Sequence, residues 1–205
     1  VFLLVLLEPD FGSAVFILGL ASFVLVMSGV RKVYLLLSAV LLAPVIALFV
    51  RARWELIHTR LLGFLEPEKV YQVKQSLTAL GSGGMWGVGL GASGQKLRFL
   101  PEPHTDFILA ILGEELGFVG CLGVLLLFVV LLWSGAAIVW RTRDLFGFLL
   151  GAGVVISLSF QAAINVAVVT ASFPTKGIPL PFLTHGGSGL CMTLVQVGLL
   201  LSIER

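Results

Sequence analysis

The sequence predicts an all-α fold: a polytopic bundle of transmembrane helices with one large loop on one side. Three observations carry this reading. Hydrophobic residues make up 58% of the 205 positions and charged residues only 12%, about half the charge fraction of a soluble domain. Mean hydropathy is +1.08. The apolar residues also fall in long unbroken runs, where a β-barrel would show short alternating segments.

The elements follow in order. The chain opens on VFLLVLL, with no initiator Met and no charged region before it. That pattern is not a signal peptide. We read it as the end of a span, and residues 1–205 as a single membrane domain from the later part of a longer protein. Residues 11–30 are uncharged and long enough to cross a hydrocarbon core of about 30 Å as a helix. Arg31 and Lys32 close that span. A second span covers 33–50, with Pro44 as its expected kink. A third covers 116–140 and is closed by Arg141, Arg143 and Asp144. A fourth covers 145–173, and a fifth 186–203.

Five crossings sort the loops onto two sides. Arg31, Lys32, Arg141, Arg143 and Arg205 share one side, and among short loops the other holds only Lys176. The positive-inside rule makes the first side cytoplasmic. The loop 51–105 is then extracytoplasmic. Its own Lys and Arg residues weigh little, because long connections follow the rule poorly. A loop of this length is usually functional or disordered. Within it, RARWELIHTRLLGFL (51–65) mixes basic and apolar residues at helical spacing, which suits a helix lying in the interface. YQVKQSLTAL (71–80) suits a second helix.

Composition also excludes. A net charge of +2 without a basic block gives no reason to expect nucleic acid. Cys121 and Cys191 both lie inside apolar runs, so they behave as small hydrophobes and give no disulfide framework.

Residues 81–94, GSGGMWGVGLGASG, contain Gly89-x-Gly91-x-x-Gly94, a literal dinucleotide fingerprint. The fingerprint needs a βαβ unit around it, and none is present in the pattern. A phosphate loop needs Lys directly after its second Gly, and Gln95 precedes Lys96 here. The glycines are better read as tight turns and close backbone approach at a membrane surface. Lys96 and Arg98 follow. They serve either as anchors reaching the lipid headgroups or as cations facing a phosphate or pyrophosphate.

The next stretch, LRFLPEPHTDFILAILGEELG (97–117), gathers Glu102, His104, Asp106, Glu114 and Glu115 at the mouth of a long uncharged run. Ionisable groups there are costly and usually functional. Pro101 and Pro103 forbid a helix earlier, so one is expected to start near Thr105 or Asp106. Either residue would serve as an N-cap. Alternatively, Asp106 is a carboxylate at a water–membrane boundary, where desolvation lifts carboxylates toward the range of a useful base. Glu114 and Glu115 point to different helix faces, so at least one faces protein interior or water. A divalent cation (Mg or Mn) held by Asp106 with Glu114 or Glu115 and by substrate phosphates is chemically normal.

Asp10, in Glu8-Pro9-Asp10, sits on the same side at the start of the first full span, where an acid also suits the helix dipole. Gln161 and Asn165 share one face of the fourth span, and interhelical hydrogen bonding is their default role. Residues 173–189, FPTKGIPLPFLTHGGSG, are broken by three prolines and four glycines. Such backbone persists at membrane depth only under cover of protein or around a cavity, and it often lines binding sites. Lys176 within it is a candidate anion contact.

Four blocks now match a family: EPDFG (8–12), YQVKQSLTALGSGG (71–84), QKLRFLPEPHTDFILAILGEELGFVG (95–120), and Asn165 with PTKGIPLPFLTHGGSG (174–189). The chain resembles the SEDS membrane proteins, which polymerise peptidoglycan glycan strands. The wording of 95–107 and the Lys in PTKG resemble the cell-division branch, FtsW, more than the elongation branch, RodA. One departure stands out: the family's Ser-Tyr-Gly-Gly-Ser corner reads Thr184-His185-Gly186-Gly187-Ser188 here.

The resemblance implies about ten spans in the bacterial cytoplasmic membrane. This chain would supply the end of the fifth and the sixth through tenth. It implies transfer of a disaccharide-peptide between undecaprenyl-pyrophosphate carriers, with lipid II as acceptor and a lipid-linked glycan strand as donor. Asp106 matches the family's catalytic aspartate, and Asp10 a second, supporting acid. Lys96, Arg98 and Lys176 become contacts for the pyrophosphate. His104, Thr105, Glu114, Glu115 and Ser188 shape the site. The implied partner is a class B penicillin-binding protein, a transpeptidase. A flippase for the same precursor, or a scaffold without catalysis, would use many of the same features.

Overall fold

The computed structural model describes Val5 and residues 11–65, 70–94, 106–174 and 177–204. Among these every regular element is a helix: α1 Phe11–Met27, α2 Lys32–Ala52, α3 Trp54–Leu65, α4 Tyr71–Gly83, α5 Ile108–Arg141, α6 Leu145–Val169 and α7 Gly187–Ile203. Helices α2, α5 and α6 are long and apolar enough to cross a membrane, and α1 and α7 are shorter apolar helices. At 17 residues each, those two sit at the lower limit for a span. The chain is a multi-pass membrane protein.

Helices stand at the positions of the five expected spans, three of them long enough to cross, with three ends moved. α1 stops at Met27, and the chain turns through Gly29 at φ 76°. α6 stops at Val169, not near 173. Ala171 takes a left-handed φ of 56°, and the amides of Ser172 and Phe173 both return to the carbonyl of Ala167. The third span is the largest correction. It begins at Ile108, so the helix expected after His104-Thr105-Asp106 and the span expected from 116 are one interrupted rod. Its N-cap is Phe107, with no side-chain hydrogen bond at the cap, one residue after Asp106 and two after Thr105. Pro44 lies inside α2, which runs on through it.

The interruption in α5 is at Gly117, at φ 70° and ψ −169°. A regular helix would bond the amide of residue 118 to the carbonyl of 114, and 119 to 115. Here the amides of Phe118 and Val119 donate to the carbonyls of Gly84 and Met85, at 2.9 and 3.2 Å. The carbonyls of Glu114 and Glu115 accept from the amides of Val88 and Gly89, at 2.9 and 3.0 Å. The glycine-rich segment is thus spliced into the broken helix. Four backbone hydrogen bonds cross the junction where the helical ladder is broken.

Only glycine allows that approach. A Cβ on Gly83 would overlap the carbonyl of Gly113, and one on Gly117 would meet the carbonyl oxygen of Met85 at 2.6 Å. The close-approach reading of these glycines holds, and the approach is to the broken helix.

α4 lies along α5, which packs on α6; α6 in turn meets α1 and α7. One apolar cluster joins Ala79 of α4, Phe107, Leu109 and Phe128 at α5, Val168 of α6 and Leu180 of the segment after it. A second, nearer the other end, joins Val139, Leu158 and Leu200. α2 has no buried residue.

Candidate functional site

The first cluster sits under a polar corner built by three segments: the start of α5, the far end of α6, and the segment 177–186. Asp106 precedes α5 and is half-buried. Its carboxylate lies against Gly177. A Cβ built there would meet Oδ2 at 2.8 Å and Oδ1 at 3.1 Å. Asn165, on α6, is 1% exposed. Its Nδ2 donates to the carbonyl of Asp106 at 3.0 Å and to that of Ile178 at 2.8 Å.

The segment 177–186 is held as a strap. Ile178 and Leu180 are buried. The amide of Leu180 donates to Thr184 Oγ1 at 2.7 Å. Phe182 adopts φ 66°, an outlier for a bulky residue, with its ring 6.4 Å from that of Phe128. Strained backbone of this kind tends to collect at functional sites. Ile178, Leu180 and Pro181 are buried, whereas Gly177, Pro179, Leu183, His185 and Gly186 are exposed, so protein covers this non-helical backbone only in part.

A second polar arrangement lies one turn and more into α5. Glu114 is 5% exposed. One of its oxygens accepts from the hydroxyl of Ser93 and the other from the amide of Gly94, the latter at 3.1 Å. Glu115 is 8% exposed. The expectation that at least one of the pair faces the interior is met by both, because the spliced segment covers the helix on its second face.

The predicted site residues therefore divide. Asp106 is brought to the strap. Glu114 is brought to Ser93 and Gly94, as a latch. Ser188 is exposed on the first turn of α7, and His185 is exposed just before it. Asp10, Lys96, Arg98, His104, Thr105 and Lys176 lie outside the described residues. Gln161 donates to Ser157 one turn back on its own helix at 3.1 Å, so its interhelical role is not seen, whereas Asn165 bonds across segments.

Asp106, Glu114 and Glu115 do not form one converging group of three. Among the described residues no three His, Cys, Asp or Glu side chains converge. Both oxygens of Glu114 are engaged by Ser93 and Gly94.

Three site features went unread in the sequence: Ser93, Gly177, and the bridging role of Asn165. Ser93 follows a glycine run that explains itself by turns. Gly177 carries no side chain to notice. Asn165 had only its position beside PTKG in the same block to mark it.

The FtsW/RodA/SpoVE model, described as cell cycle protein, matches residues 1–205. The chain belongs to this family. It is 41% identical over 207 residues to the probable peptidoglycan glycosyltransferase FtsW of Trichlorobacter lovleyi, covering 98% of this chain and 54% of that protein. It is 40% identical over 210 residues to stage V sporulation protein E of Bacillus subtilis, covering 100% of this chain and 57% of that one. The chain thus spans a little over half the length of these relatives. A solved structure, described as the structural coordination of polymerization and crosslinking by a peptidoglycan synthase complex, superposes with a TM-score of 0.72. It is 28% identical, over 98% of this chain and 57% of that one. The family supplies a reason for two buried acids and a strained strap to share one end of the bundle.

Proposed function

We propose that this chain is the later half of a peptidoglycan glycosyltransferase that polymerises lipid II into glycan strands during septal wall synthesis. One observation carries the site: the Asp106 carboxylate lies against Gly177 of the strap, directly beside Lys176 in sequence. The proposed base therefore meets the start of the strap, one residue after Lys176 in sequence, where apolar helices end. The kinship with FtsW proteins named peptidoglycan glycosyltransferases supports the reaction.

In this reading Asp106 accepts the proton of the GlcNAc 4-hydroxyl of lipid II. The hydroxyl oxygen bonds to the MurNAc anomeric carbon of the lipid-linked strand. The bond from that carbon to the pyrophosphate oxygen breaks, with inversion. The carrier pyrophosphate leaves as an anion, and Lys96, Arg98 and Lys176 neutralise it. Asp10, His104 and Thr105 complete the substrate contacts, and Glu114 and Glu115 hold the surrounding backbone. The site faces the extracytoplasmic side of the bacterial membrane. The partner is a class B penicillin-binding protein, in keeping with the synthase complex that this fold resembles.

The test is lipid II polymerisation by the full-length protein, with no other polymerase present. Asp106→Ala is expected to lose at least about 100-fold in kcat, the usual scale for a general base, while inserting normally in the membrane. Wild-type polymerisation by that variant overturns the assignment. Translocation of lipid II by wild-type protein without strand formation favours the flippase instead.

A further inference from the structure

Asn165 sits on a transmembrane helix, yet its contacts are to the backbone of two other segments. Both hydrogens of its Nδ2 are used, one on the carbonyl of Asp106 and one on that of Ile178. Two carbonyl acceptors demand the amide nitrogen at that position, so the orientation of the side chain follows from chemistry. The two carbonyls belong to the segments that meet at the Asp106 carboxylate. One is Asp106 itself, and the other follows Gly177, whose Cα faces the carboxylate. The Oδ1 of Asn165 is buried and takes no hydrogen bond from a described residue. A buried polar atom left this way calls for an explanation beyond stability.

We propose that Asn165 is a positioning residue for Asp106. It fixes the spacing between the start of α5 and the strap, and with it the point at which the carboxylate meets the acceptor hydroxyl. The proposal rests on the reading of Asp106 as the reacting carboxylate. Asn165→Leu keeps the shape and removes both donors. Gly177→Ala disturbs the same spacing from the opposite side, because its Cβ must displace the carboxylate.

The experiment measures kcat and KM for fluorescent lipid II separately, with the full-length protein in proteoliposomes, and the melting temperature of each variant. Both Asn165→Leu and Gly177→Ala are expected to lower kcat about 10- to 100-fold, the scale of a misplacement near 1 Å. KM stays within about twofold, as for an interaction felt only in the transition state. A merely structural role would reduce the amount of folded protein and leave the kcat of the folded fraction unchanged. Wild-type kcat in Gly177→Ala, or in folded Asn165→Leu, overturns the proposal. If Asn165→Leu does not fold, Gly177→Ala decides alone. Asp106→Ala runs beside them. Activity in that variant sinks the reading of Asp106. An inactive Asp106→Ala beside fully active Asn165 and Gly177 variants sinks only the positioning role.

Discussion

Glu114 and Glu115 are adjacent acids in an apolar helix, and their burial looks unfavourable until their surroundings are counted. Burying a carboxylate is tolerable only when its oxygens are hydrogen-bonded. Glu114 meets that condition through Ser93 and Gly94. Ser93 is itself 1% exposed, so removing the acid takes a carboxylate partner from a buried hydroxyl, while the amide of the exposed Gly94 turns to water. Glu114→Ala is expected to destabilise by about 1–3 kcal/mol, the cost of a buried group losing its partner. Glu114→Gln keeps an acceptor for the amide, and the serine hydroxyl can rotate to meet the new NH2. It should cost about 1 kcal/mol. Thermal unfolding of the purified full-length protein checks the order, and equal losses for the two variants would refute the latch. Alternation of faces along a helix made one buried acid legible in the sequence. The second was not, because its cover comes from a loop far away in the chain.

At the scale of elements, apolar run length located the long helices, apart from the early start of α5 at Ile108, since burial in lipid is largely a property of composition. Helix ends were less legible. α6 ends at Ala171, a left-handed position where glycine is the usual signal, so nothing in the sequence announced it. The break in α5 was hidden for the opposite reason: Gly117 is one glycine among many, and a helix tolerates a lone glycine. What makes it a break is the exchange of hydrogen bonds with the segment 84–89, a tertiary fact. Its φ and ψ fall in a region essentially reserved for glycine. Gly117→Ala should therefore cost about 3 kcal/mol or more, combining backbone strain of about 1–3 kcal/mol with the clash on Met85. Ala at Gly123, where a Cβ meets nothing within 4 Å, is the control and should be neutral or slightly stabilising. Melting temperatures that fail to separate the two would mean that the splice is not rigid.

At the scale of the whole molecule, the break fixes where the site sits relative to the bilayer. Residues 118–141 give about 36 Å of helix at 1.5 Å per residue, enough to cross a core of about 30 Å with some tilt. Arg141 and Arg143 then stand at one surface, and Gly117, the latch and Asp106 at the other. The cationic loops predict the orientation that puts this end outside the cell, which is what the proposed polymerisation requires. Labelling with a membrane-impermeant maleimide on intact cells tests this directly. Cys191 is exposed and Cys121 half-buried, so both are first replaced by Ser or Ala. A single cysteine at Leu90, 78% exposed in the spliced segment, should react from outside. One at Arg143, beside the cytoplasmic end of α5, should react only after the membrane is opened. The reverse pattern would turn the bundle over and leave Asp106 on the cytoplasmic face. There it could not serve strand synthesis outside the membrane, whatever its geometry with Gly177 and Asn165.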